Sequence, residues 1–420
     1  MIERPRGTRD FSTEDMEKRR FLEKNLQKTF ESFGYKEIQT PTFEQLELFT
    51  LKSGDSIKDE LYAFTDKGGR ELSLRPELTA PVIRMYVDQL QMTSKPLKLF
   101  YFGNCYRYDR PQKGRYREFM QAGCELIGTK TPEAIAELIA LAYYLLKNVG
   151  LSQFTLDIGD LPLLKMIFES MNLSEEQQKT MLPLIDKECF DDVREVLVEY
   201  AVDASLQEIF ISLLTNASIE KLQSYFQDNE TALNEISRLQ QVSYFLTNCF
   251  QVPDFHINLG IVRGLDYYTG MVFELKVPKL GAEKQICGGG EYELVSLFKG
   301  RETPTSGFAI GFDRTLLSME LEQLSFPSKK IDYYIISVTE DMRHLAIRIA
   351  MRLRRQGLYV DIDLMQRGIG KAMKYASSRN TQKVILVGPS EAEKHAVTLR
   401  DMDSGLQTLV DIETLEPVEA

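Results

Sequence analysis

Apolar residues recur with two different periods along the first part of the chain. Leu22, Leu26, Phe30 and Phe33 fall at helical spacing behind Ser12 and Thr13, either of which can cap, and Gly34 stops the run, so a helix is expected over 13–33. A strand over 35–40 ending at Pro41 follows, then a short strand over 71–75. Pro76 sits where a helix through Tyr86 can begin, because a first-turn proline loses no hydrogen bond. Apolar stretches on either side of a polar turn, one over 98–103 closed by residues 107–109 and one over 117–127, predict a hairpin with a long tip. Thr131-Pro132-Glu133 then caps an apolar helix that ends at Gly150.

From 161 to 250 the pattern is almost purely helical and glycine disappears. Strand character returns over 255–260 and 271–277, which reads as a second hairpin interrupted by residues 263–268, and a glycine-rich strand over 306–311 leads into a helix. Beyond Pro327 a βαβαβ pattern has strands over 333–338, 359–362 and 383–387, followed by strands over 397–400 and 407–412. The expected division is a sheet domain over 1–160, a helical insertion over 161–250, the sheet domain continued over 251–324, a linker over 325–330 and an α/β domain over 331–420. The fold class is α+β.

With 420 residues, 43% of them hydrophobic, the chain can bury a substantial core. A net charge of −11 excludes wholesale wrapping of nucleic acid, so a polyanion must be met by local patches. Two such patches occur. Arg107, Arg110, Lys113, Arg115 and Arg117 load the hairpin tip. Near the C-terminus Arg367, Lys371, Lys374, Arg379 and Lys383 lie in an acid-free span, after Arg348, Arg352, Arg354 and Arg355 on one helix. A solvated helix face and a local RNA-binding surface both fit the second patch. Five cysteines, odd in number and without Cys-x-x-Cys spacing, point to reduced thiols in a cytoplasmic protein. Isolated histidines at 256, 344 and 395 argue against a metal site. No apolar run approaches the ~18 residues that span a bilayer, and neither membrane nor DNA is expected as a partner.

Taken singly, each candidate for chemistry has a plain alternative: Arg107 and Arg314 as structural ion pairs, Glu77 as a helix N-terminal carboxylate, Gly288 to Gly290 as a sheet bend. Together they describe something narrower. Arginines at three sheet positions, acids at two strand ends and a glycine floor suit a nucleoside triphosphate and an amine-bearing substrate, because guanidinium forks match phosphate and carboxylates match ammonium. The chain has neither a Walker-type glycine loop nor a Gly-x-Gly-x-x-Gly helix start, which leaves an antiparallel sheet holding ATP by arginines.

In these residues the chain resembles the class II aminoacyl-tRNA synthetases, and among them the histidyl-tRNA synthetase family. Gly34-Tyr-Lys-Glu-Ile-Gln-Thr-Pro41 resembles motif 1, Arg107-Tyr-Asp109 through Arg115 to Phe119 resembles motif 2, and Gly307-Phe-Ala-Ile-Gly-Phe-Asp-Arg314 resembles motif 3. Val262-Arg-Gly-Leu-Asp-Tyr-Tyr268 and the glycines before Tyr292 resemble stretches peculiar to the histidine enzymes. The resemblance implies a six-stranded antiparallel sheet with a helical insertion, a C-terminal anticodon-binding α/β domain and a homodimer. It implies ATP and histidine as substrates, Mg2+ accompanying the ATP, and histidine tRNA as partner.

By the same resemblance, Arg263 and Arg107 act on the α-phosphate as the catalytic pair, Arg314 meets the γ-phosphate, Arg115 a nucleotide or acceptor-stem phosphate, and Asp109 stands where a glutamate usually reads adenine. Glu77, Thr79 and Gln121 receive the α-ammonium of histidine, Leu78 lines that turn, and Glu125 and Tyr268, with Tyr267 nearby, read the imidazole. The segment Gly290-Glu291-Tyr292-Glu293 departs from the usual pattern, with an acid where a basic residue is customary. The alternative is a non-catalytic regulatory paralogue of histidine biosynthesis.

Overall fold

The computed structural model describes residues 2–53, 55–110, 115–262, 268–281 and 284–415. They form two compact units, Met1–Phe326 and Pro327–Ala420.

In the first unit, helix α1 (Thr13–Ser32) opens on a reciprocal cap: Ser12 Oγ accepts from Asp15 N at 3.1 Å and Asp15 Oδ2 accepts from Ser12 N at 2.9 Å. Its Leu22, Leu26 and Phe30 are wholly buried. Strand β1 (Lys36–Glu37) is much shorter than the 35–40 expected. A small antiparallel sheet follows, in which β4 (Glu71–Leu74) lies between β2 (Phe43–Gln45) and β3 (Ala63–Thr65), with α2 (Leu46–Ser53) between β2 and β3 in sequence. Helix α3 (Thr79–Met85) starts three residues after Pro76, not at it. The cause is Glu77, whose carboxylate accepts from Thr79 N at 2.6 Å and Ala80 N at 3.1 Å and so fixes where the first helical turn can begin.

The hairpin of β5 (Leu97–Tyr106) and β6 (Glu118–Ile127) is as expected, and α4 (Pro132–Asn148) is capped by Thr131. Strand β7 (Thr155–Asp160) leads through Asp160, the cap of α5 (Leu161–Ser170), into α6 (Glu175–Asp186), α7 (Phe190–Glu199), α8 (Ala204–Thr215), α9 (Ile219–Tyr225) and α10 (Glu230–Tyr244). Buried Phe168, Phe210, Leu222 and Leu239 of these helices share one apolar core with Phe30 and Phe100.

The chain then returns to the sheet as β8 (His256–Ile257), β9 (Tyr268–Lys276), β10 (Gln285–Tyr292) and β11 (Thr305–Gly311), the last running into α11 (Phe312–Leu321). The sheet order is β1-β5-β6-β11-β10-β9-β7-β8. Each of the six inner strands is antiparallel to its neighbours among them, and β1 and β8 flank them in parallel on β5 and β7. The second hairpin expected from the sequence does not form. Both edges of β9 are taken by β7 and β10, so β8 pairs instead with β7 at the sheet's outer edge.

The second unit carries β12 (Ile331–Ser337), α12 (Arg343–Arg355), β13 (Val360–Ile362), α13 (Ile369–Ser378), β14 (Thr381–Val387), β15 (Ala396–Asp401) and β16 (Gln407–Asp411). Its sheet has the order β13-β12-β14-β15-β16, parallel over the first three strands and antiparallel beyond. Part of its basic character is structural. Arg352 bonds Ile412 O at 2.9 Å and pairs with Glu413, Arg354 bonds Val360 O, and Arg367 pairs with Asp363 at 2.5 Å, whereas Lys371, Lys374 and Arg379 are exposed.

Candidate active site

Strand alternation puts Tyr101 and Gly103 of β5, Phe119, Gln121, Gly123 and Glu125 of β6, and Gly307 and Ala309 of β11 on one face of the sheet, and Phe100, Cys124 and Phe308 on the face that packs on the helices. Two glycines shape the first face. A Cβ at Gly123 would strike the Tyr101 ring at 2.8 Å, and one at Gly307 would strike the Glu125 carboxylate. The glycines thus let a phenol and a carboxyl lie flat across neighbouring strands.

Glu125 is completely buried, accepts from Tyr101 Oη at 3.0 Å and also from Tyr292 Oη. Burial pushes its carboxyl up to about 8, against the pull of its bonds with Tyr292, Thr79 and Tyr101. Burial likewise raises the Tyr268 phenol, and the charge of Glu125 adds to the effect. Tyr292 and Tyr101 fill this wall together with Leu78, and Tyr268 packs against the same group.

The turn carrying Glu77, Leu78 and Thr79 is fixed to β5 by Arg75, whose guanidinium donates to Thr40 O at 2.8 Å and Asn104 O at 2.9 Å. Glu77 spends its carboxylate on the first amides of α3, the plain alternative recognised in the sequence.

Beside this group lies a cavity of about 510 Å³ lined, among others, by Arg107, Asp109, Arg115, Gln121, Tyr268 and Arg314. All the described residues expected to bind nucleotide therefore share one cavity. Glu77, Leu78, Thr79 and Glu125 do not line it. Tyr268 belongs to both groups, lining the cavity and packing with Leu78 and Tyr292. Arg107 bonds Pro76 O at 3.0 Å and lies over the Phe119 ring at 5.3 Å, which ties motif 2 to the Glu77 turn. Asp109 accepts from Arg115 Nε at 2.9 Å, and Arg314 donates to Gln285 O at 2.8 Å. Arg263 and Tyr267 lie outside the described residues.

Sequence reasoning missed Tyr101, whose signal is its parity with Gly103 on β5. It also left Glu291 unpartnered. That residue is buried, pairs with Arg238 of α10 at 2.5 Å and accepts from Met271 N at 2.8 Å, so the unusual acid in the glycine-rich strand fastens the insertion to the sheet. Among the described residues no three His, Cys, Asp or Glu side chains come together as a metal-ligand set, and no helix is long and apolar enough to cross a membrane.

Comparison with known proteins follows the same division. A family model described as Histidyl-tRNA synthetase matches residues 7–315, and one described as Anticodon binding domain matches residues 332–418. The histidine-tRNA ligase of Methanocaldococcus jannaschii is 44% identical over 419 residues, 99% of each chain. Apo histidyl-tRNA synthetase of S. aureus aligns with a TM-score of 0.76 at 30% identity over 98% of both chains. A Bacillus halodurans structure described as an ATP phosphoribosyltransferase regulatory subunit/histidyl-tRNA synthetase aligns with a TM-score of 0.80 at 26% identity, covering 92% of this chain and 98% of that one.

Proposed function

The chain belongs to the histidyl-tRNA synthetase family, and from that premise we propose how its own residues divide the work of a histidine-tRNA ligase. The enzyme joins histidine to its tRNA in two steps. The histidine carboxylate attacks the α-phosphorus of ATP and pyrophosphate leaves. The terminal adenosine of the tRNA then attacks the acyl carbon of histidyl-adenylate and AMP leaves. A non-catalytic regulatory role has no better support, since the second unit matches the anticodon-binding domain.

The observation that carries the assignment of residues is the adjoining of two unlike environments. An arginine-lined cavity suits a triphosphate, and a buried carboxyl flanked by phenols suits an imidazole. In this reading Arg107 holds the α-phosphate with Arg263 on its other side, Arg314 holds the γ-phosphate, Arg115 meets a further phosphate, and Asp109 stands near adenine. Two guanidiniums on one phosphorus stabilise the charge that grows on its equatorial oxygens.

Glu77, Thr79 and Gln121 take the ammonium while Leu78 closes that turn. Glu125 reads the imidazole with Tyr268 and Tyr267. A protonated Glu125 donates to the bare ring nitrogen and an ionised one accepts from the ring N–H, so this carboxyl pairs with imidazole in either state. Asparagine or phenylalanine would leave a buried polar group unmet, at about 1–3 kcal/mol each.

In this reading Mg2+ would accompany the ATP and would offset charge on its phosphates beside Arg107 and Arg314. The chain is a cytoplasmic homodimer, a reading supported by five unbridged cysteines, by the exposed side chains of edge strand β1, and by exposed Phe43 and Phe64 in edge-to-face contact on the small sheet. The catalytic assignment is tested by Arg263→Ala, expected to lower histidine-dependent pyrophosphate exchange by at least about tenfold, roughly 1.4 kcal/mol of transition-state stabilisation, with circular dichroism unchanged. Wild-type turnover in that variant removes Arg263 from the mechanism.

A further inference from the structure

The segment before α1 has no part in the account above, yet it runs along the wall of the nucleotide cavity. Gly7 O accepts from Arg117 N at 2.9 Å, and Gly7 takes a positive φ of 85° with its α-carbon against the Arg117 stem. That pairing lays the segment beside the return of the motif 2 turn and delivers Arg9. The Arg9 guanidinium sits 3.5 Å from the centroid of the Tyr116 ring and pairs with Asp313 Oδ1 at 2.8 Å.

Asp313 is a junction. Its Oδ1 also pairs with Arg19 of α1 at 2.5 Å, and its Oδ2 accepts from Met120 N at 2.9 Å. Tyr116 and Asp313 both line the cavity. Tyr116 directly follows Arg115 and Asp313 directly precedes Arg314. Arg9 therefore touches the chain neighbour of each of two arginines that come from separate elements, the β5–β6 turn and the β11–α11 junction.

We propose that Arg9 is a positioning residue for ATP, clamping Tyr116 to Asp313 so that Arg115 and Arg314 are held in register around the nucleotide. The proposal rests on reading this cavity as the ATP site. Arg19 and Met120 already hold Asp313, so the carboxylate stays in place without Arg9. What Arg9 alone supplies is the link to Tyr116, and a planar guanidinium can stack on a ring while its edge meets a carboxylate, whereas an ammonium cannot do both.

The test is pyrophosphate exchange by the full-length protein, with KM for ATP, KM for histidine and kcat measured separately for the wild type, Arg9→Ala, Arg9→Lys and Arg314→Ala. Arg9→Ala is expected to raise KM for ATP about tenfold with KM for histidine changed less than about twofold. Arg9→Lys keeps the charge on Asp313 but loses the stack, and is expected to raise KM for ATP about threefold. A merely structural Arg9 would lower kcat through loss of active protein and leave both KM values alone, and that pattern overturns the proposal. An unchanged KM for ATP in Arg9→Lys overturns the stacking part even if Arg9→Ala does not fold. If Arg314→Ala also leaves KM for ATP unchanged, the reading of the cavity has failed, and the clamp falls with it.

Discussion

Glu125 keeps its proton up to about pH 8 because the folded chain removes it from water, whereas in the unfolded chain it ionises in the ordinary carboxylate range. Between those limits the folded state holds a proton that the unfolded state has lost, so this residue makes stability fall as pH rises, by at most about 1.4 kcal/mol per pH unit, and the full cost stands above about pH 8. Glu125→Gln removes that slope. Urea unfolding is expected to show the variant gaining on the wild type between pH 5 and pH 9, and parallel curves would contradict the assignment. In the same variant KM for histidine is expected to rise about tenfold, with KM for ATP unaffected, since one edge of the imidazole loses its partner. At this scale Glu125, Tyr268 and the arginines were named through a resemblance in motif, and the structure gathers Arg107, Arg115, Tyr268 and Arg314 around one cavity with Glu125 in the adjoining wall. Arg9 and Asp313 gave no such signal, because their meaning lies in contacts of the N-terminal segment with two separate elements that no local pattern encodes.

Among elements, one ion pair adds to the shared apolar core in joining insertion to sheet. Arg238 of α10 meets Glu291 of β10, with Asp160, the cap of α5, close enough for its carboxyl to feel both. Burial first, then repulsion from Glu235 and Glu291, raises Asp160 to about 7. Arg238→Met leaves Glu291 buried without its cation, expected to cost about 3–5 kcal/mol in chemical denaturation, and adding Glu291→Gln is expected to restore part of it. Additive losses would show that the two residues do not act as a pair. Element type was legible for α1, α4, the β5–β6 hairpin and the second unit, whereas β2, α2, β3 and β7 were not read at all, and the remaining failures were of relation. The onset of α3 was misplaced because Glu77 fixes it by side-chain bonds that outweigh the position of Pro76. The second hairpin was misread because neighbouring strands in sequence were taken as partners, while the long insertion returns the chain beside β7.

For the molecule as a whole, two compact units with separate apolar cores suggest separable tasks. Deleting residues 327–420 is expected to leave adenylate formation largely intact and to reduce tRNA charging, measured as pyrophosphate exchange against aminoacylation on one preparation. Equal loss of both would mean that the second unit supports the first structurally. The chain divides at Pro327, and the helices between β7 and β8 have no core of their own but continue the one behind the sheet, a relation that helical periodicity does not encode. The most direct test of the central claim is ATP-pyrophosphate exchange by the purified protein with each proteinogenic amino acid in turn and no tRNA. Exchange with histidine alone is the expected result. Exchange with another amino acid, or with none from folded protein, would contradict the reading of Glu125 and its phenols as the imidazole site.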